Sequence, residues 1–209
     1  MSFPEDLPST RDIRDIRWTD RNVQSRSENI FSLQRDIFVW PGQRWEATIS
    51  LRPMKREAAA PWSAWFSRLD AQVGTFLLPD PLRAIPLGTP TGTPLVDGGS
   101  QTGKTLATKG WTPNSVAVLK ADDRIQIGAG LGARLHKVLD DVDADANGDA
   151  TIPVWPAIAW AHDDETPLTT SNAMGLFELA QSSLDQQHRR RLFMEGLTFQ
   201  AVSVVADPV

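Results

Sequence analysis

Residues 36–53 read DIFVWPGQRWEATISLRP, and this stretch decides the fold class. Apolar and polar residues alternate along it, with the period of two that is typical of strands with one buried face. The apolar positions are Ile37, Val39, Trp45, Ala47, Ile49 and Leu51. Between the first two positions and the last four, Pro41-Gly42 predicts a turn. The stretch therefore predicts two strands joined at Pro41-Gly42.

The next residues, MKREAAAPWSAWFSRLD at 54–70, predict one substantial helix. Four large apolar side chains recur at helical spacing and share one face of it. They are Trp62, Trp65, Phe66 and Leu69. Because Pro61 has no N–H to donate, we expect the regular helix to begin or bend near it. Together with Trp45, the apolar face of this helix is the predicted packing core.

Further strand candidates follow the helix, several of them at roughly ten-residue spacing with turn residues between them. Their sequences are VGTFLLPDP (73–81), KTLATKGW (104–111), VAVLKADDRIQIG (116–128), ARLHKVLDDVDAD (133–145), DATIPVWPAIAW (149–160) and LFMEGLTFQAVSVV (192–205). Residues 86–104 are rich in Gly, Pro, Thr and Ser and predict a long loop. The first thirty residues are polar and predict an extended arm or an edge strand. The fold class is therefore mainly β, an antiparallel sandwich or barrel with one substantial α-helix.

Composition excludes several classes of function. The chain has 209 residues, of which 41% are hydrophobic and 22% charged, as expected for a globular protein with a sizeable core. Its net charge of −5 argues against general nucleic-acid binding. It has no cysteine, which excludes disulfides and thiolate chemistry and fits a reducing cytoplasm. Neither a signal peptide nor an apolar run of the roughly 20 residues needed to span a bilayer is visible. We expect a soluble protein without a membrane partner.

Residues 98–105, GGSQTGKT, match the phosphate-loop pattern G-x-x-x-x-G-K-[ST]. A working phosphate loop leaves a buried strand and opens a helix whose N-terminal N–H groups hold the phosphates. Here the preceding GTPTGTPLVD is not a buried strand, and Gly110 and Pro113 follow too soon for a helix. The octet therefore predicts a Gly- and Thr-rich loop that enters a strand.

Residues 143–154, DADANGDATIPV, resemble the first half of a calcium loop. The twelfth position of such a loop is a bidentate Glu, and here it is Val154. Asn147-Gly148 is a strong signal for a tight turn between strands. The stretch therefore predicts a β-hairpin with an acidic tip rather than a metal site.

Two other charged clusters are visible. His162 precedes three acidic residues, Asp163 to Glu165, and predicts a solvated turn. His136 lies within a strand pattern and is expected to be half-buried. The run of Arg189, Arg190 and Arg191 follows His188 and predicts a basic edge for an acidic partner surface. No catalytic residue, cofactor site or metal site is predicted anywhere in the chain, so we expect no enzyme.

Taken together, several stretches in a fixed order resemble a tail-tip component of tailed bacteriophages, of the distal tail protein kind. The stretches are PGQRWEATISLRPMKREAAAPWSAWFSRLDAQVGTFLLPDP, TLATKGWTPNSVAVLKADDRIQIG, ARLHKVLDDVDADANGDATIPVWPAI, TTSNAMGLFELA and GLTFQAVSV. They cover about residues 30–205. The individual motifs are short, so the resemblance rests on their order.

This resemblance implies a structural virion protein that forms a hexameric ring. The ring would join the tail tube protein to the hub or fibre proteins below it, in a virion assembled in the host bacterial cytoplasm. Residues 1–87 and 165–209 would form a split, β-rich, ring-forming domain, and residues 88–164 an inserted small β-barrel. The expected contacts between subunits involve Trp18 and the arginines 189–191. No cofactor and no sequence-specific nucleic acid are implied.

Three alternatives remain open at the level of sequence. One is a hub subunit of the same tail tip with three-fold symmetry. Another is a module that binds a host-surface glycan through exposed tryptophans such as Trp155 and Trp160. The last is a nucleotide-hydrolysing enzyme built on Gly98–Thr105, with Lys104 as its essential residue.

Overall fold

The structure is a computed structural model that describes residues 3–181, 188–189, 193–194 and 197–205. It is mainly β, with all paired strands antiparallel and one α-helix of 13 residues, α1 (Arg56–Arg68). Short 3₁₀ turns lie at Thr10–Asp12, Pro81–Arg83 and Gly130–Gly132. The predicted fold class is confirmed.

One sheet has five strands in the order β1-β2-β14-β11-β4. Their bounds are β1 (Ile13–Glu28), β2 (Arg35–Leu51), β4 (Thr75–Pro79), β11 (Met174–Leu179) and β14 (Thr198–Ser203). The alternation over 45–51 puts every second residue of β2 into the core, with the intervening residues half-buried. A small sheet of β3 (Met54–Lys55), β13 (Phe193–Met194) and β12 (His188–Arg189) lies beside α1.

The second sheet has six strands in the order β10-β7-β8-β9-β6-β5 and is nearly closed into a barrel. Its strands are β5 (Leu95–Val96), β6 (Gly103–Lys109), β7 (Arg124–Ile127), β8 (Arg134–Val138), β9 (Ala150–Ile158) and β10 (Leu168–Thr169). A bridge between Leu95 and Pro167 brings its two edge strands together. Since Leu168–Thr169 pairs with β7, the chain returns to the five-stranded sheet only after residue 169. The proposed domain boundaries stay a prediction.

The core of the five-stranded sheet is largely aromatic. The predicted core side chains are all buried in one cluster, together with Phe76, Phe177 and Phe199. They are Trp45, Trp62, Trp65, Phe66 and Leu69. Trp65 meets Phe76 edge to face with ring centroids 5.0 Å apart, a favourable geometry for aromatic pairs. A separate cluster fills the barrel.

Trp45 connects this sheet to the barrel. Its indole Nε1 donates a hydrogen bond to the carbonyl oxygen of Leu135 in β8, at 2.9 Å. Its ring meets Trp155 of β9 edge to face, with centroids 4.5 Å apart. The guanidinium of Arg124 in β7 lies 4.9 Å from the ring centroid of Trp45, a cation–π contact. One side chain of β2 therefore touches three strands of the barrel.

Several local predictions need correction. The predicted turn at Pro41-Gly42 is not formed. Both residues lie within β2, where they are part of a bulge. The helix begins at Arg56 and not near Pro61, which lies inside it and deprives the Glu57 carbonyl of its helical partner; a bend at Pro61 stays a prediction. The strand expected over 116–128 is reduced to Arg124–Ile127, because the residues before it form loops with positive φ at Ala117 and Asp122.

The two edges of the five-stranded sheet differ. Beside β4, Glu5 forms a parallel bridge: its N–H donates to Thr75 at 2.9 Å and its carbonyl accepts from Leu77 at 3.1 Å. The opposite edge is β1, and no strand in the described part of the chain pairs with its outer side. The first thirty residues, expected as an arm or an edge strand, thus supply this edge strand. Within the described ranges, α1 is too short and too polar to cross a membrane, and no other helix qualifies.

Candidate functional site

The most unusual feature of the molecule is the hairpin formed by β1 and β2. The two strands pair from Ile13 and Leu51 at one end to Glu28 and Arg35 at the other. However, β14 pairs with β2 only over residues 46–50. The outer half of the hairpin therefore has two strands and no third strand among the residues that the structure describes.

The base of the hairpin is tied to the barrel by hydrogen bonds. The N–H of Ala157 donates to Oε1 of Gln43 at 2.8 Å, and Nε1 of Trp155 donates to Oδ1 of Asn22 at 3.2 Å. The ammonium of Lys137 lies 2.6 Å from the carboxylate of Asp20. These contacts end at Asn22 and Gln43, which face each other across the hairpin.

A bulge lies immediately beyond this base. Asn22 pairs with Gln43 and Gln24 with Val39, so residues 40–42 of β2 oppose Val23 alone. Bulges of this kind bend a strand and increase its twist. Gly42 permits the close approach, because a Cβ at this position would lie 3.0 Å from Cγ2 of Val23. Residues 23–42 are called the projecting hairpin below.

Every residue of the projecting hairpin is exposed. Eight of them are large apolar side chains, and Phe31 at the turn is 98% exposed. The eight are Val23, Ile30, Phe31, Leu33, Ile37, Phe38, Val39 and Trp40. Four of these are consecutive in β2, so apolar side chains point to both faces of the hairpin, as in strands that are buried on both sides. An exposed apolar surface of this extent is typical of an interaction site.

The turn of the projecting hairpin is well defined. Oδ1 of Asn29 accepts hydrogen bonds from the N–H groups of Phe31 and Ser32, at 2.9 and 3.3 Å. The N–H of Asn29 donates to Gln34 at 2.9 Å. This side-chain turn is a common use of asparagine. It holds Phe31 at the end of the hairpin.

The charged residues of the projecting hairpin are largely paired among themselves. Glu28 forms ion pairs with Arg26 and with Arg35, the latter at 3.2 Å. All three side chains are about one-third exposed or more, so these pairs contribute little to stability. The apolar side chains of β2 can therefore contribute more to binding than these ion pairs.

The residues expected at subunit contacts are placed as follows. Trp18 is half-buried and packs edge to face on Trp45 and Phe177, with centroids 5.5 and 5.8 Å away. Its contact with a neighbouring subunit stays a prediction. Arg189 lies in β12, without a description of its side chain, and Arg190 and Arg191 lie outside the described residues. Sequence reasoning missed the projecting hairpin as a unit, although the run IFVW signalled apolar side chains on both faces.

The phosphate-loop octet has no phosphate-loop geometry. Gly103, Lys104 and Thr105 lie in β6, as the sequence predicted, so no helix N-terminus follows the glycines. The N–H of Gly98 donates to the carboxylate of Asp164 at 2.8 Å. The Asp164 carboxylate therefore already accepts the hydrogen bond from an N–H that a phosphate would use.

The acidic loop near Asp145 also serves the fold. Oδ1 of Asp145 accepts from the N–H groups of Asn147 and Asp149, at 2.8 and 2.9 Å, which lowers the pKa of this carboxyl group. The predicted turn is formed, and it packs on Trp111, whose carbonyl would lie 2.3 Å from a Cβ at Gly148. The turn is thus not a free tip. No cluster of three or more metal-ligating side chains occurs in the described ranges.

Only one of the two tryptophans named for the glycan-binding alternative is exposed. Trp155 is buried between the hairpin base and the barrel, so it cannot stack on a sugar. Trp160 is exposed at the mouth of a cleft that Arg134 and His162 also line. Nε2 of His162 is buried, and no other residue that the structure describes offers it a hydrogen bond. Burial lowers the pKa of this imidazole.

His136 is fully buried rather than half-buried as expected. It faces the carbonyl of Pro156 at 2.8 Å, and because a carbonyl only accepts, Nδ1 carries the proton. Burial lowers its pKa to about 4, although the hydrogen bond to Pro156 acts in the opposite direction. The imidazole is therefore neutral in the folded protein near pH 7.

We predict that acid weakens the fold through His136. The unfolded chain binds a proton at this residue below its ordinary pKa of 6.5, whereas the folded protein does so only near pH 4. The stability that depends on a neutral His136 is fully present above pH 6.5 and is lost as the pH falls from 6.5 to 4. The free energy of unfolding should fall by on the order of 3 kcal/mol in total. Urea unfolding across this pH range measures it. His136→Gln should flatten the profile, and His162→Gln should retain most of it; equal profiles for wild type and His136→Gln would contradict the assignment.

Comparison with known proteins adds no identification. No protein-family model matches the chain, and no curated protein sequence matches it.

Proposed function

We propose that the chain is a structural subunit of a bacteriophage tail tip, of the distal tail protein kind, and that it assembles with copies of itself into a ring. The sequence resemblance suggests the class, and the projecting hairpin is the single observation that carries the proposal. In the virion the ring, a hexamer by this resemblance, joins the tail tube protein to the hub or fibre proteins. The subunit performs no reaction and uses no cofactor.

The projecting hairpin supports assembly because it is poorly stabilised alone. A two-stranded hairpin without a third strand or a packed face is at best marginally stable in water. Its eight exposed apolar side chains are covered by nothing in the described part of the chain. A partner that covers both faces would supply the missing packing. In a ring, the neighbouring copy is that partner.

The expected free energies of association favour a closed ring over a pair of subunits. At about 1.5 kcal/mol for each apolar side chain, covering the projecting hairpin gains on the order of 10 kcal/mol. Association itself costs a similar amount, about 4–15 kcal/mol, so one hairpin contact alone is weak. In a closed ring every copy both donates and receives a hairpin. Ring closure is therefore expected to be cooperative.

The mass of the native protein tests this proposal. Light scattering after size exclusion, followed by negative-stain imaging, should show a ring of uniform size with a central hole. Three copies in the ring would indicate the hub subunit instead of the distal tail protein. A monomer at every concentration reached would overturn self-assembly, and a sugar titration that quenches Trp160 would then support the glycan alternative.

Substitutions in the projecting hairpin should separate assembly from folding. We expect Phe38→Ser with Trp40→Ser to weaken assembly by roughly a hundredfold, because each removes an apolar contact worth about one factor of ten. The melting temperature should change little, because both side chains are exposed. Val73→Ser is the matched control, since Val73 is equally exposed but lies outside the hairpin. Equal assembly of the double variant and the control would count against the hairpin.

A further inference from the structure

A second apolar surface lies on the loop after β4. Three of its side chains are among the most exposed apolar residues of the molecule, with Ile85 at 83%. They are Leu82, Ile85 and Leu87, called the loop patch below. None of the three belongs to either of the apolar core clusters of the described residues.

The loop patch is held rigidly from several sides. The carboxylate of Asp123 accepts the N–H of Leu87 at 2.6 Å and that of Gly88 at 3.1 Å. The guanidinium of Arg83 lies 2.7 Å from the carboxylate of Asp122. The N–H of Asn172 donates to the carbonyl of Ala84 at 2.6 Å. A surface fixed in this way loses little conformational entropy when a partner binds to it.

The loop patch and the projecting hairpin lie at opposite edges of one sheet. The hairpin is made by β1 and β2 at one edge, and the loop patch follows β4 at the other. Four strand spacings of about 4.8 Å put these edges roughly 19 Å apart. A closed ring requires two different surfaces on each copy that meet head to tail. This topology supplies such a pair.

The projecting hairpin is long enough to reach a neighbour. Its six residues 23–28 extend about 20 Å beyond Asn22 before the turn begins. Apolar side chains at its turn, Ile30, Phe31 and Leu33, are the parts that would arrive first at a neighbouring copy.

We propose that the turn of the projecting hairpin of one copy docks on the loop patch of the next copy. This inference rests on the proposed function and names the two surfaces that form the ring contact. The occupant of the loop patch is a second copy of this chain, because each copy carries at the opposite edge of its sheet an exposed apolar turn that nothing in the described residues covers. Trp18 and the arginines 189–191 are not needed for this contact.

Two complementary variants test the pairing. In the first, Asn-Gly replaces residues 23–42 and links Asn22 to Gln43, which already face each other, through a two-residue turn. In the second, Leu82→Ser, Ile85→Ser and Leu87→Ser remove the loop patch. Each variant alone should be a monomer. Because one hairpin contact alone is weak, the equal mixture is analysed at about 1 mM of each variant, where even a contact with a Kd of about 1 mM is substantially populated. Sedimentation equilibrium should then show one-to-one dimers and nothing larger.

The outcomes separate the inference from the proposed function. If the wild type forms rings but the mixture forms no dimer, the inference fails and ring formation stands. If either variant alone forms rings, the inference fails likewise. If the wild type forms no assembly, the proposed function fails. Melting temperatures close to that of the wild type show that both variants fold.

Cross-linking provides a second test that keeps the hairpin and the loop patch, since the 209-residue sequence has no cysteine of its own. Single variants Phe31→Cys and Ile85→Cys are mixed and oxidised, and a disulfide-linked dimer is expected. Phe31→Cys mixed with Lys104→Cys is the control, since Lys104 is exposed on β6 of the barrel. Roughly tenfold more dimer in the first mixture is expected for direct contact. Equal yields from rings of the same size would overturn the inference.

Discussion

Trp45→Ala is expected to lower the free energy of unfolding by about 4 kcal/mol, the cost typical of truncating a buried aromatic side chain. Trp45 is 1% exposed and contacts Trp18, Trp155 and Arg124. Its loss also leaves the carbonyl of Leu135 without its donor. For a chain of this size the melting temperature should fall by roughly 10 °C.

Urea unfolding followed by circular dichroism measures this effect. Trp160→Ala is the matched control, because Trp160 is exposed and its removal should cost less than about 1 kcal/mol. Trp45→Phe separates packing from the hydrogen bond, and we expect about 1–2 kcal/mol for it. Similar losses for Trp45→Ala and Trp160→Ala would show that Trp45 does not connect the sheet to the barrel.

Asp123→Ala is expected to cost about 3 kcal/mol, the second largest effect. This carboxylate is 3% exposed and accepts three N–H groups, from Leu87, Gly88 and Lys120. Alanine would leave three donors without a partner, and each buried unsatisfied donor costs about 1 kcal/mol or more. Because two of these donors lie in the loop that carries the loop patch, assembly should weaken together with stability.

Chemical denaturation and native mass give the two readouts. Asp141→Ala is the matched control, because this exposed carboxylate accepts a single N–H, from Ala121 at 3.0 Å, and should cost less than about 1 kcal/mol. Hydrogen exchange at Leu87 and Gly88 should accelerate in Asp123→Ala only. Unchanged exchange at both amides would show that the Asp123 carboxylate does not hold this loop.

Periodicity predicted the elements whose side chains pack locally. The alternation from Trp45 to Leu51 and the helical face from Trp62 to Leu69 both require one buried side, and both are buried as expected. At Pro41-Gly42 the same reasoning failed. A proline followed by glycine favours a turn, but here the missing side chain of Gly42 leaves room for Val23 inside a bulge, and only pairing with β1 distinguishes the two.

The candidate site was harder to predict, because exposure depends on neighbours distant in sequence. Alternation predicts that the apolar run Ile37–Trp40 belongs to a strand with one buried face. Its exposure arises because β14 stops pairing at Glu46, which no local pattern reveals. The Pro-rich sequence around the loop patch predicted only a loop. The pattern around Asp123 predicted only a strand. In both cases tertiary hydrogen bonds decide the backbone.

The edge that Glu5 covers also bears on solubility. Unprotected strand edges allow folded proteins to add to one another without limit and to aggregate. On the five-stranded sheet, the main chain at Glu5 already takes the hydrogen bonds offered by Thr75 and Leu77, so a foreign strand meets no free partner there. Edge-to-edge pairing of this sheet would therefore end after two copies, joined through β1.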